Sequence, residues 1–211
     1  MIPTFDREPY LRQLEVEVTA VANDETGPYA ILSDTVLYPE GGGQPADHGY
    51  LGNIRVIAVQ RVDTEIRHYL ENTAATGSAT LTLDWKRRFD HMQQHTAQHL
   101  ITAIAADEFG WETTSFHLGA SSSDIELDVA VIADGDLESL EERAATVIHE
   151  ARAVTTRWVA PEELTNGAIR SRGLPEGHDG DIRLVEIARV DCNTCGGPPV
   201  ETTTAIDAGR A

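Results

Sequence analysis

Lysine is almost absent from this 211-residue chain: of its 16 basic side chains only Lys86 is a lysine, and the rest are arginines. Acids outnumber bases 35 to 16, for a formal net charge of −19. So few cations argue against a nucleic-acid partner in dilute salt, because phosphate binding draws its affinity from cationic side chains. The same composition reads as halophilic. In concentrated salt a carboxylate-rich surface stays hydrated, and at ~1 M the screening length falls to about 3 Å, so global charge no longer repels RNA. A few grouped arginines then suffice to hold phosphates, and Arg87, Arg88, Arg170 and Arg172 lie nearest the motifs described below.

Long apolar runs are also missing. None approaches the ~20 residues that span a bilayer, and no basic segment followed by an apolar one opens the chain, so the expectation is a cytoplasmic protein without a membrane partner. Cysteine is scarce. Cys192 and Cys195 stand three positions apart, too close to staple a fold, and in a cytosolic chain such a pair points to metal or redox chemistry. Internal repeats and low-complexity tracts are absent. The 41% of hydrophobic residues is enough for a core.

Residues 1–84 read as a compact β domain. Leu14 to Val18 alternates apolar and polar residues as a half-buried strand does, and Tyr29 to Leu32 reads as its partner after a turn. Further strands are expected at Ile54 to Val62, Glu65 to Leu70 and Ala79 to Leu83. Between them, Gly41-Gly42-Gly43-Gln44 allows positive φ and close backbone approach. No Gly-Lys-Ser/Thr ending follows, which excludes a P-loop and leaves a tight turn or another cradle.

Residues 85–211 read as an α+β domain with a mainly antiparallel sheet packed on helices. Apolar residues at helical spacing predict a helix from Trp85 to Phe109, stopped by Gly110. A hairpin over Glu112 to Val129 follows, then a helix capped by Asp136 with Leu137, Leu140, Ala144, Val147 and Ile148 on its buried face. Strands are expected at Val154 to Val159, at Ile182 to Val190 leading into the cysteine turn, and at Val200 to Ala205. Mixed elements without a βαβ rhythm give the α+β class.

Chemistry concentrates on the first helix. Residues four apart share a helix face, so His95 and His99 can present both imidazoles to one point. Taken alone, an HxxxH pair is equally a polar face with solvated histidines. Thiolates from the distant Cys192–Cys195 segment turn the balance toward a Zn²⁺ site. Thr96, Thr113, Thr114 and Ser115 are the hydroxyl-bearing candidates nearby, and Gln98 and His117 could orient a ligand or substrate. His48, His68, His149 and His178 are read as surface residues.

Four segments together carry a resemblance: Thr35 to Asp47 with its three glycines, Met92 to Leu100 with HxxxH, Ser115 to Gly119, and Val190 to Gly197 with both cysteines. In this order they resemble the freestanding alanyl-tRNA editing proteins called AlaX, of the medium-length type, relatives of the editing domain of alanyl-tRNA synthetase. The resemblance implies a small glycine-rich, barrel-like β domain before an α+β editing domain. It implies zinc-dependent hydrolysis of tRNA(Ala) mischarged with serine, and of the glycine ester. It also implies that Gly41, Gly42, Gly43 and Gln44 serve tRNA or substrate discrimination; beside the resemblance, Thr114 and His117 are read as substrate-binding and Thr96 and Gln98 as working beside the metal. His95, His99 and Cys195 match the family's ligands, whereas Pro199 stands where the fourth, a histidine, is expected. Water, Cys192 or His91 are the alternatives for that position. Two other functions compete: a protein of the same fold that grips aminoacyl-tRNA without cleaving it, and a zinc hydrolase of some smaller ester or amide.

Overall fold

Period-two alternation is realised along β1, Gln13–Asn23, where Val16 and Val18 turn inward and Glu15 and Glu17 face solvent. A computed structural model describes residues 2–119, 122–166, 169–171 and 180–206 of the chain, which divides into two compact units, Met1–His91 and Met92–Ala211. The readings for Arg172 and His178 lie outside the described residues.

In the first unit a one-turn helix α1, Thr4–Arg7, precedes six strands: β1, β2 (Pro28–Leu32), β3 (Gly49–Leu51), β4 (Ile54–Val62), β5 (Glu65–Leu70) and β6 (Gly77–Leu83). They close into an antiparallel barrel in the order β1-β2-β5-β4-β3-β6. Closure leaves no unpaired strand edge. The glycine segment is part of this barrel's packing. Val36, Leu37 and Tyr38 are buried, and Gly41 and Gln44 exchange backbone hydrogen bonds of 3.1 and 3.0 Å. Gly42 and Gly43 have φ of 58° and 79°, a type I′ turn that demands left-handed backbone at both central positions.

Asp47, at the end of that segment, accepts a hydrogen bond of 2.7 Å from Tyr38 N and one of 2.8 Å from Arg88 Nε. Arg88 also donates through Nη1 to Pro9 O at 2.8 Å, and through Nη2 to Val36 O at 2.6 Å and to Asp47. Both charged side chains are 0% exposed. The expectation that Arg88 touches RNA is therefore wrong: its guanidinium is spent on holding two loops under the barrel. Arg87 donates to Ala46 O at 3.0 Å.

His68 corrects a second expectation, because it is buried rather than superficial. Its Nε2 lies 2.8 Å from Thr35 Oγ1 and its Nδ1 3.3 Å from Ala30 O, an arrangement satisfied by the neutral ring. Burial pushes its pKa from 6.5 down to about 4. The folded state thus binds fewer protons than the unfolded chain. The contribution is complete above pH ~6.5 and is lost as pH falls toward 4, at up to ~1.4 kcal/mol per pH unit and about 3 kcal/mol in all. His91, brought to about 4 by burial and by Arg87, acts in the same direction. Urea midpoints for wild type and His68→Gln between pH 7 and 4.5 check this. The wild-type curve should fall more steeply, and parallel curves would rule the role out. His149 is exposed and His48 half-buried.

The second helix, α2, runs Trp85–Ile104, starting where period two gives way to 3.6, and the division between the units falls inside it. Asp84 Oδ1 caps it by accepting from Arg87 N at 3.2 Å. The expected continuation to Phe109 exists but is a π turn, Ala105–Phe109, closed by Gly110 with φ 71°. In the second unit β7 (Thr113–Leu118) and β8 (Ser123–Leu127) form a hairpin, α3 spans Asp134–His149, and β9 (Val154–Val159), β10 (Ile182–Ile187) and β11 (Asp191–Thr194) make an antiparallel sheet in the order β11-β10-β9. Helix α3 begins before Asp136, which lies in its first turn, where a negative charge suits the helix dipole. Leu137, expected on the buried face, is 44% exposed. The strand read at Val200 to Ala205 is not formed. Thr202 makes an isolated bridge to Ala153, and Thr203–Ala205 is a 3₁₀ turn tied to α3 by Thr203 Oγ1 donating to Val147 O at 2.9 Å. The fold is α+β.

Candidate metal centre

Helical spacing stacks the rings of His95 and His99 on α2, with centroids 5.0 Å apart and planes within 9°. Both residues are buried, and the Phe116 ring of β7 lies 5.5 Å from that of His95. Cys195 follows β11. Its backbone N donates to Arg183 O at 3.1 Å, and Arg183 Nη1 returns bonds to Cys195 O and Gly197 O at 3.0 and 2.9 Å. This clasp aims Sγ at α2, 3.3 Å from His95 Nε2. One donor atom from each of His95, His99 and Cys195 lies within 4.8 Å of the others, and this is the metal-competent group found among the described residues.

The donor set suits zinc. Tetrahedral Zn²⁺ with nitrogen and sulfur ligands spaces its donors about 3.3–3.8 Å apart, a modest contraction from the observed spread. Neither nitrogen of the buried His99 ring has a partner within hydrogen-bond distance, and a bound cation would take one of them. Nδ1 of His99 is 3.6 Å from Asp191 Oδ2. Burial alone would raise the Cys195 thiol, but the adjacent His95 and His99 outweigh it and hold the thiol well below its ordinary range. For His99 burial pulls the pKa down, and the Cys195 sulfur and Asp191 carboxylate bring it up to about 9. Both shifts favour the thiolate at Cys195, the form in which cysteine binds a metal.

Strand parity explains why Cys192 does not join the group. Asp191, Asn193 and Cys195 share one side of the β11 line, whereas Cys192 falls on the other, beside Glu186 and Arg157 and against Val159, Ile182 and Leu184. Its thiol lines a cleft of about 420 Å³ that also reaches Asp107, Arg170, Arg189 and Asp191. His91 is likewise outside the donor group: it is buried, and its Nδ1 has no hydrogen-bond partner. Pro199 is buried in the segment after Cys195 and carries no donor. Val200 N donates to Thr96 Oγ1 at 3.1 Å, and that hydroxyl donates to Met92 O at 2.8 Å, so Thr96 holds the cysteine segment on α2.

The hydroxyl candidates separate. Between Thr113 and Ser115 the hairpin register slips, two residues of β7 advancing against one of β8. The slip shifts the facing pattern by one. Thr113 is thereby turned to Thr102, 2.9 Å between hydroxyls, while Thr114 is exposed and donates to Glu126 O at 3.3 Å. His117 is also outward, paired with Asp124 at 3.0 Å, and Ser115 pairs with Glu126. Gln98, buried one helical turn from His95, donates from Nε2 to Thr102 Oγ1 at 2.8 Å and leaves Oε1 without a partner. Gly41, Gly42, Gly43 and Gln44 belong to the first unit. Asp191 escaped notice in the sequence, though its distance of four from Cys195 on a strand was the available signal.

No family model matches the chain. It is 42% identical to the alanyl-tRNA editing protein Aarsd1 of Danio rerio over 92% of its own length and 47% of that relative. It is 41% identical to Aarsd1-A of Xenopus laevis with the same coverage, so the chain spans about half the length of these relatives. Against the alanyl-tRNA editing protein AlaX-M of Methanosarcina acetivorans it is 32% identical over 93% of its length, covering 86% of that relative. Over most of its length, with the paired histidines and the cysteine brought to one point, the chain belongs to the alanyl-tRNA editing protein family of Aarsd1 and AlaX-M.

Proposed function

We propose that this chain is a trans-editing hydrolase that deacylates tRNA(Ala) mischarged with serine, and with glycine, using Zn²⁺ held by His95, His99 and Cys195. The observation that carries this reading is the convergence of those three donors in a member of the editing family. The need is physical. An alanine pocket cannot exclude glycine by size and rejects one added hydroxyl only weakly, so a second sieve must act after charging. The aminoacyl ester is already reactive, and an enzyme has mainly to place water and stabilise the oxyanion. A Zn²⁺ ion bound here supplies Lewis-acid chemistry, polarising a carbonyl and acidifying water.

The chain's own groups do the rest. Proline at position 199 contributes no ligand, which leaves three protein donors and an open position, the pattern of a hydrolytic rather than a structural zinc site. Gln98 Oε1 is a buried acceptor one helical turn from His95, suited to the ammonium or hydroxyl of a seryl group. Thr102 and Thr113 hold the Gln98 amide in place. Phe116 covers His95 on one side and keeps that wall apolar. Thr114, His117 and the Gly41 to Gln44 turn are assigned no contact with the ester; the turn's proposed share is in recognising the tRNA. The carboxylate-rich surface is taken as an adaptation to concentrated salt.

The test is incubation of the chain at high salt with Ser-tRNA(Ala), Gly-tRNA(Ala) and Ala-tRNA(Ala), with and without a chelator. Serine should be released fastest, alanine spared, and chelation should stop release until Zn²⁺ is restored. Pro199 in the fourth ligand position favours one second reading, a protein that grips charged tRNA without cleaving it. Tight binding with no release at any metal concentration would establish that reading instead.

A further inference from the structure

Asp191 opens β11 with a side chain only 2% exposed. Its Oδ2 lies 3.6 Å from His99 Nδ1, and its Oδ1 accepts from Arg170 Nη1 at 2.7 Å. Arg170 reaches further, through Nη2, to Asp107 in the π turn that ends α2. The arginine's backbone is fixed as well. Arg170 N donates to Cys192 O at 2.8 Å and Arg170 O accepts from Thr194 N at 3.1 Å, a parallel bridge onto β11. Arg170 is therefore not a free cation awaiting phosphate, as its position beside the motif suggested, but links the two carboxylates of a chain Asp107–Arg170–Asp191–His99.

A metal-binding imidazole commits one nitrogen to the ion and donates the N–H of the other. A carboxylate accepting that N–H selects the tautomer, fixes ring rotation and makes the ligating nitrogen more basic. Arg170 occupies one oxygen of Asp191 and leaves the other facing His99. Asp107 offsets the guanidinium charge, so the carboxylate stays effective as an acceptor. We infer that Asp191, clamped by Arg170 and Asp107, is a positioning residue that sets His99 to present Nε2 to the cation. The inference rests on the metal-centre reading above and adds to it the device that orients one ligand.

Zinc affinity of the full chain, measured by competition with a chromophoric chelator, tests it for wild type, Asp191→Asn, Arg170→Gln, Arg170→Lys and Cys195→Ala, with thermal melting of each metal-free form. Asp191→Asn should bind zinc about 10- to 100-fold more weakly, the range for lost carboxylate partners of metal-ligating histidines. Arg170→Gln should lose about threefold or more, and Arg170→Lys should recover part of it. Metal-free melting temperatures should not follow that ranking, which separates positioning from plain stability. Equal affinity for wild type and Asp191→Asn overturns the role of Asp191 and leaves the metal centre standing. Wild type binding no tighter than Cys195→Ala overturns both. If Asp191→Asn does not fold, unchanged affinity in Arg170→Gln is enough to reject the clamp.

Discussion

Cys195→Ala is expected to empty the centre. Zinc content should fall from about one ion per chain to a small fraction, and release of serine from Ser-tRNA(Ala) should slow by at least about 10³-fold, or ~4 kcal/mol of transition-state stabilisation. The size of the effect follows from the donor count. With three protein ligands, loss of the single anionic one leaves two imidazoles, whose proton and metal affinities compete near neutral pH. Cys192→Ala is the built-in comparison, because its thiol lies on the opposite side of β11 and should change neither metal content nor rate appreciably. Metal analysis and single-turnover deacylation on both variants decide the matter. A Cys192→Ala protein that loses its zinc while Cys195→Ala keeps it would reverse the assignment.

Arg88→Ala is expected to cost about 3–5 kcal/mol, because it strips the partner from a buried carboxylate. In a chain of 211 residues that is a fall of about 10 °C in the melting temperature. Three acceptors lose their donor at once: Asp47, Pro9 O and Val36 O. Asp47 keeps only its bond from Tyr38 N on Oδ2, and its Oδ1 has no partner to begin with. Calorimetry on Arg88→Ala, Asp47→Ala and the double variant measures the coupling. The double variant should be much less damaged than the sum of the single ones, and additive losses would mean that the two charges act separately.

Where sequence pattern sufficed, it did so through local periodicity. Strand β1 announces itself by alternation, whereas the three-residue β3 was not read; α2 is marked by its 3.6 spacing and Gly110, and the glycine turn by φ values that only such residues adopt readily. His95 and His99 are visible for the same reason, as neighbours on one helix turn. Features that depend on distant partners were not legible. A buried arginine has the same letter as an exposed one, and Arg88 meets Asp47 across 41 residues. His68 reads as polar until Thr35, 33 residues away, supplies its hydroxyl. Thr114 and Thr113 exchange faces because of one register slip that no residue type marks. The π turn is hidden likewise, since its composition is ordinary and only its hydrogen bonding places Asp107 toward Arg170.

The common parity of Asp191 and Cys195 constrains evolution at this turn in a particular way. Inserting or deleting one residue between them would send carboxylate and thiolate to opposite sides of the strand, whatever the inserted residue was. The three intervening positions, Cys192, Asn193 and Thr194, face no such restriction on identity. Length, more than spelling, is the quantity that selection must guard here, and drift in this segment should appear as substitutions rather than gaps.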